Sequence, residues 1–399
     1  MLHIQHHSRK ELIYILLLIT PIIDNINGLF IMNHGATGIS IGTFFRILII
    51  LYCVAISYKI KKYFITIYLM LYFPLLAFIK GMFGGGMIDN LTYAMKWVMV
   101  VLIILALSYK ALQDKDTAIE NVNDVIVFWS WIVPGMLILE YVFNIGIKSY
   151  WDAGFKGLYY STNDLAYVLT ILFIYSAYQL IYHFKVKWII SISLNGVAIL
   201  ILGTKSSVAF SIFTLLLLFL FHVENPIAFI KKFFLAIIVI AFLHFVMKYM
   251  GQNINDFVNR YTNMWLDSQN GGGFWDSFMN FATSGRTQRI AMSFSQINNG
   301  NYFVNFLFGW IKPDNANVVE MDFNDLFFQY GMVGFSLLVW FYLSFAHLRS
   351  KRAVILKYIM IVSIMYAILA GHVISGAFSG TMFAMIYFLF SENGKIDYE

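Results

Sequence analysis

The feature that most constrains this chain is a succession of apolar runs separated by short polar punctuation. Each is near the roughly 20 residues an α-helix needs to cross about 30 Å of hydrocarbon. Twelve are read, at 12 to 32, 39 to 58, 63 to 80, 91 to 109, 124 to 144, 164 to 183, 188 to 203, 207 to 222, 233 to 249, 326 to 346, 353 to 370 and 373 to 390. Hydrocarbon offers no partner for backbone polar groups, so runs of this length must satisfy them internally as helices. Composition agrees: 12% of the 399 residues are charged, against roughly 25% in soluble domains. The expectation is an all-α polytopic membrane protein of about twelve transmembrane helices. It forms one integral membrane domain over 1–399, with a large loop at 250 to 325 between helices 9 and 10. The first run lacks a small-residue cleavage site and is read as a retained helix. The stretches at 188 to 222 and 353 to 390 leave two readings open, either two short helices around a polar kink or one long helix with a re-entrant piece.

A formal charge of +6 would suggest nucleic acid in a soluble protein, but in a membrane protein the basic residues are first sorted by side. With a cytoplasmic N-terminus, Arg9 and Lys10, the Lys59, Lys61 and Lys62 cluster, Lys110 and Lys115, Lys185 and Lys187, Lys231 and Lys232, Arg349, Lys351 and Arg352 all fall inside. Lys395 then marks an inside C-terminus, and no nucleic-acid partner is expected. The loop at 250 to 325 falls outside. It is rich in aromatic residues, including Trp265, Trp275 and Trp310, a composition unlike that of disordered segments. The single Cys53 cannot form an internal disulfide, and no Cys or His cluster stands at metal-ligand spacing.

Charges inside the spans cost roughly 2.5 to 3.5 kcal/mol each at a helix centre, so they mark cavities or the interface. Arg46 falls in the second run, Lys96 in the fourth, and Lys205 at the tight turn between the seventh and eighth, all in the outer half. Snorkelling to the headgroups is the plain reading. The functional one is a cationic cavity, open outward, for an anionic or phosphorylated substrate.

Within the outer loop, Thr283-Ser284-Gly285-Arg286-Thr287-Gln288-Arg289 sets two arginines at i and i+3. On a helix these share a face, and guanidinium forks grip phosphate oxygens bidentately. Such a pair is also common on solvated helices. Farther on, Glu320-Met321-Asp322-Phe323-Asn324-Asp325 puts three carboxylates before an apolar helix. Capping explains at least one of them; a carboxylate near a cationic pocket can also take a proton from a hydroxyl nucleophile.

These residues carry a resemblance. The stretch from Gly285-Arg286-Thr287 through Asn305-Phe306-Leu307-Phe308-Gly309-Trp310 to Asn324-Asp325-Leu326 and Tyr330-Gly331-Met332-Val333-Gly334-Phe335 resembles the outer-loop signature of the O-antigen ligase and Wzy-type polysaccharide polymerase superfamily. Three earlier segments resemble it too: Pro21-Ile22-Ile23-Asp24-Asn25-Ile26-Asn27-Gly28 followed by Arg46, Ser161-Thr162-Asn163-Asp164-Leu165-Ala166, and Gly203-Thr204-Lys205-Ser206-Ser207. One departure matters: ligases of the family carry a histidine in the loop motif before the asparagine, where this chain reads Asp322-Phe323-Asn324-Asp325. That favours polymerisation over ligation.

The resemblance implies inverting glycosyl transfer on the outer face of the bacterial cytoplasmic membrane, as in O-antigen or capsule biosynthesis. The donor is a polyprenyl-diphosphate-linked oligosaccharide repeat unit, and the acceptor is a hydroxyl of the next lipid-linked unit. A flippase and a chain-length regulator are the implied partners. Diphosphate is already a competent leaving group, so what helps is cationic stabilisation of its developing charge. Arg46, Lys205, Arg286 and Arg289 are the candidates, with Asn163 and Asn324 as further substrate-binding residues. The weakly nucleophilic hydroxyl needs a base, for which Asp322 or Asp325 is first choice and His372, before the last span, the alternative. Neither metal nor cofactor is expected. Tyr302 and Trp310 offer flat surfaces to sugar rings, although interfacial anchoring is the commoner role. A rival class is a transporter or lipid-linked oligosaccharide flippase. Carriers are commonly built of repeated halves, and no such self-similarity is seen here.

Overall fold

The structure, a computed structural model, describes residues 11–34, 40–84, 86–149, 154–182, 185–221, 259, 262–263, 265–266, 273–297, 301–309, 319–345 and 354–393. It is mostly helical. In chain order the elements are α1 (Leu12–His34), α2 (Ile41–Ser57), α3 (Lys61–Met70), α4 (Tyr72–Gly84), α5 (Met87–Gln113), α6 (Lys115–Val142), β1 (Ile147–Ser149), β2 (Gly154–Gly157), α7 (Thr162–Tyr182), α8 (Val186–Leu202) and α9 (Lys205–Phe221). After these come α10 (Phe274–Thr283), α11 (Arg286–Ile297), α12 (Tyr302–Phe308), α13 (Asp322–Phe345), α14 (Val354–Leu369) and α15 (Ala377–Asn393).

Among the described residues, 5 segments are long and apolar enough to cross a membrane: Leu12–Asn33, Lys61–Gly84, Met87–Gln113, Lys115–Val142 and Asp322–Phe345. Shorter apolar helices occupy Ile41–Ser57, Val186–Leu202, Leu356–Leu369 and Ala377–Glu392. The expected span at 233 to 249 lies outside the described residues, as do Trp310, Arg9, Lys10, Lys231, Lys232, Arg349, Lys351, Arg352 and Lys395. Twelve crossings therefore stay an expectation. Both stretches left open by the sequence resolve into two helices each, α8 with α9 and α14 with α15.

The core forms around helices that are apolar on every side, as expected for elements surrounded by other elements. Every residue of α5 from Trp97 to Ser108 is buried, and α7 and α15 are buried over most of their length. Outer helices turn apolar side chains outward as well, such as Phe44, Leu51 and Leu343, each at least 59% exposed. A hydrocarbon surround explains that surface.

The structure departs from the sequence expectation in three places, each with a local cause. The third run is two helices, α3 and α4, parted at Leu71. Pro74 stands three residues on; it lacks an N–H and its ring crowds the carbonyl four residues back. The chain is not wholly helical, because β1 pairs antiparallel with β2 in a hairpin between α6 and α7. The run at 326 to 346 is broken at Gly331, whose backbone (φ 66°, ψ −171°) is not helical. A break frees backbone carbonyls that an apolar surround cannot satisfy. Here Lys80 Nζ donates to the Gln329 carbonyl at 2.5 Å and the Tyr72 hydroxyl to the Tyr330 carbonyl at 2.8 Å.

That break also seats the outer helix α12. A side chain at Gly331 would put its Cβ 2.2 Å from the Leu307 carbonyl oxygen, and one at Gly309 would meet the Gln329 carbonyl carbon at 2.4 Å. The two backbones therefore touch at paired glycines. Gly331→Ala is expected to cost about 3 kcal/mol or more, since clash adds to a conformation essentially only glycine adopts. A thermal melt of the purified protein in detergent checks this; an unchanged midpoint would mean that the two backbones separate freely.

Candidate functional site

Five segments at helix ends meet at one end of the bundle and line a cavity of about 850 Å³. Its lining comes from the start of α7 (Ser161, Thr162, Asn163), the α8–α9 turn (Thr204, Lys205, Ser206), the α10–α11 turn (Ser284, Arg286, Arg289), Glu320 before α13, and the end of α14 through His372. Apolar residues line it as well: Phe210, Phe213, Phe278, Phe281, Met365 and Leu369.

Tight turns carry the polar side chains in. Ser284 and Gly285 are both left-handed (φ 55° and 77°), which lets α11 begin at Arg286 straight after α10 ends. Gly203 (φ 67°) caps α8, and Thr204 accepts from the Ser207 N–H at 3.4 Å, so α9 begins at Lys205. Gly371 and His372 (φ 66° and 59°) turn the chain out of α14.

The cationic wall is held in a definite arrangement. Arg286 is 9% exposed; its Nη1 donates to the Thr283 and Leu369 carbonyls, each at 3.4 Å, and its Nη2 to Glu320 Oε2 at 3.0 Å. The buried Nε of Arg286 has no partner among the described residues. Arg289 Nη1 lies 3.4 Å from Glu320 Oε1. Lys205 donates to the Phe281 carbonyl and stands 4.6 Å from the centroid of its ring. Among the described residues, Glu320 is the one acidic residue of the lining. Burial acts to raise its pKa, but Arg286, with His372 and Arg289, outweighs that and holds it below the usual carboxylate range.

Of the residues singled out in the sequence, Asn163, Lys205, Arg286, Arg289 and His372 come together in this cavity. Arg46, Asn324, Asp322 and Asp325 are not among its lining residues. The second span's arginine is committed inside the bundle, where it pairs with Asp24 of α1. Lys96, a cation of α5, interacts electrostatically with Asp164, Arg46 and Asp24 and likewise stays out of the lining. The rest of that first motif is also spent on packing. Asn25 donates to Glu140 of α6, Asn27 accepts from the Gly42 N–H at 2.8 Å, and a Cβ at Gly28 would sit 1.4 Å from the Leu158 carbonyl oxygen. Asn324 reaches the Met321 sulfur at 3.7 Å.

The two aspartates have backbone partners. Asp322 is fully buried and accepts from the N–H groups of Val373, Ile374 and Ser375 at 2.7, 3.1 and 3.2 Å, and from the Ser375 hydroxyl at 2.5 Å. Asp325 accepts from the N–H groups of Val319 and Met321 at 2.7 and 3.1 Å. One carboxylate thus fixes the segment that carries His372, and the other fixes the segment that carries Glu320. A sequence pattern cannot separate such a clamp from a base, because both are aspartates before an apolar helix. Of the three carboxylates offered by the sequence before this helix, it is Glu320 that lines the cavity; what sequence reading left without a role is Asp164, which accepts from the Ser161 hydroxyl at 2.9 Å and interacts electrostatically with His372.

No family model, no curated protein and no solved structure matches the chain.

Proposed function

We propose that this protein is a polysaccharide polymerase. It joins polyprenyl-diphosphate-linked repeat units by inverting glycosyl transfer in the cavity between α7, α9, α11 and α14, on the outer face of a bacterial cytoplasmic membrane. The observation that carries the reading is the convergence of Lys205, Arg286, Arg289, His372 and Asn163, from four separate segments, on one cavity that apolar residues also line. An amphiphilic anion suits such a site, its phosphates against the guanidinium groups and its lipid against Phe210, Phe213 and Phe278. The nearly end-to-end resemblance to the O-antigen ligase and Wzy-type polymerase superfamily supports the same class, and so does the basic-residue pattern, from which this end of the bundle is expected outside and both termini inside.

The reaction follows from these residues. An acceptor hydroxyl attacks the anomeric carbon of the donor from the face opposite the diphosphate. The new C–O bond forms as the bond to the diphosphate oxygen breaks. The diphosphate departs with the bonding pair, and Arg286, Arg289 and Lys205 stabilise the charge that builds on it. The hydroxyl proton goes to His372, half-buried in the lining, in place of Asp322 or Asp325.

Purified protein in oriented vesicles, given a lipid-linked repeat unit from the outer side, is expected to yield a ladder of products on a gel. A single transfer to a different acceptor would make it a ligase, and intact units that only change leaflet would make it a flippase.

A further inference from the structure

Glu320 holds the position that an anionic ligand of this cavity would need. Its two carboxylate oxygens are divided between the two arginines, Oε2 to Arg286 Nη2 at 3.0 Å and Oε1 to Arg289 Nη1 at 3.4 Å. This is how a bridging phosphate would sit on the same pair. Its side chain is 37% exposed, so it has room to leave. Its backbone, by contrast, is anchored: φ is 66°, and a Cβ at the abutting Gly371 would be 1.9 Å from the Glu320 carbonyl oxygen.

We propose that Glu320 is an affinity-setting latch, an internal one-charge competitor that lowers the affinity of every anion by the same factor because the ligand's phosphates must displace it from Arg286 and Arg289. The inference rests on the anionic-ligand reading of the cavity and goes beyond it. A ligand bearing one negative charge merely exchanges for the carboxylate and gains little. A diphosphate diester bears two and keeps a net attraction after the exchange. In a membrane the lowered affinity has a use, because phosphodiester headgroups with one charge are abundant around the protein and would otherwise fill the pocket.

Arg286 is braced independently of Glu320, since it also donates to the Thr283 and Leu369 carbonyls. Removing the carboxylate therefore exposes its donors without removing every support. A plain structural brace makes the opposite forecast, because loosened arginines bind any anion less well.

The experiment is calorimetric titration of the full chain in detergent with two probes, farnesyl methyl diphosphate (two charges) and farnesyl methyl phosphate (one charge). The native protein is expected to bind the first and show little affinity for the second. Glu320→Gln is expected to tighten both by about tenfold, a scale set by charge-assisted bonds discounted for partial exposure. Glu320→Asp keeps the charge but shortens the reach and should tighten them less, which covers the case of a glutamine variant that fails to fold. Unchanged or weaker binding by the variants overturns the latch, as does a failure of every form to bind the diphosphate. The polymerase reading is judged separately, by the product ladder, so a protein that makes no ladder can still show the latch and the reverse.

Discussion

Replacing Arg286 with alanine is expected to lower the transfer rate per folded molecule by about 10² to 10⁴-fold, from the loss of two charge-assisted bonds at roughly 1.5 to 3 kcal/mol each. Arg286→Lys keeps the charge but loses the planar fork, and one bond fewer corresponds to about 10 to 150-fold. Arg286 also ties α11 to the end of α14 through the Leu369 carbonyl, so the rate must be normalised to folded protein by a thermal melt. Polymer at near-normal speed from a folded Arg286→Ala protein would remove the guanidinium from the chemistry and leave it as a brace between two helices.

The second large effect separates His372 from Asp322. Asp322→Ala strands three buried N–H groups and a hydroxyl. Each stranded group costs about 1 to 3 kcal/mol, so this variant is expected not to accumulate. Asp322→Asn retains one acceptor oxygen and should show a lowered melting temperature with a nearly native rate per folded molecule. His372→Asn should do the reverse. Asparagine tolerates the left-handed backbone found at this position (φ 59°), so the fold is kept, while loss of a general base slows transfer about 10² to 10⁴-fold with donor binding retained. A folded Asp322→Asn protein slowed by that factor, beside an active His372→Asn protein, would return the base role to the aspartate.

These two variants also mark where reading the chain stopped. The segment Thr283 to Arg289 was legible as an arginine pair on one helix face, and the turn Gly203 to Ser207 as a small-residue kink with a basic residue; both now line one cavity. Asp322 and Asp325 were legible as carboxylates at a helix start. Their partners were not, because Asp322 binds backbone 51 to 53 residues away and backbone donors leave no trace in residue identity. Arg46 was legible as a cation in an apolar run. That it is committed to Asp24, 22 residues earlier, required knowing which faces of α1 and α2 meet.

The sequence by itself determined the medium and the elements. Apolar runs near bilayer length force helices, because their backbone groups have no other partner there. Tertiary structure decided everything that depends on distance. Left-handed turns at Ser284-Gly285 and Gly371-His372 and close glycine contacts bring five chain-distant segments at helix ends together, and desolvation makes a charge on each end seek the nearest partner. Arg46 found a carboxylate inside the bundle and left the site; Arg286 and Arg289 found Glu320 at its mouth. The difference between a charge paired within the bundle and one that lines the cavity lay in which partner the fold put within reach.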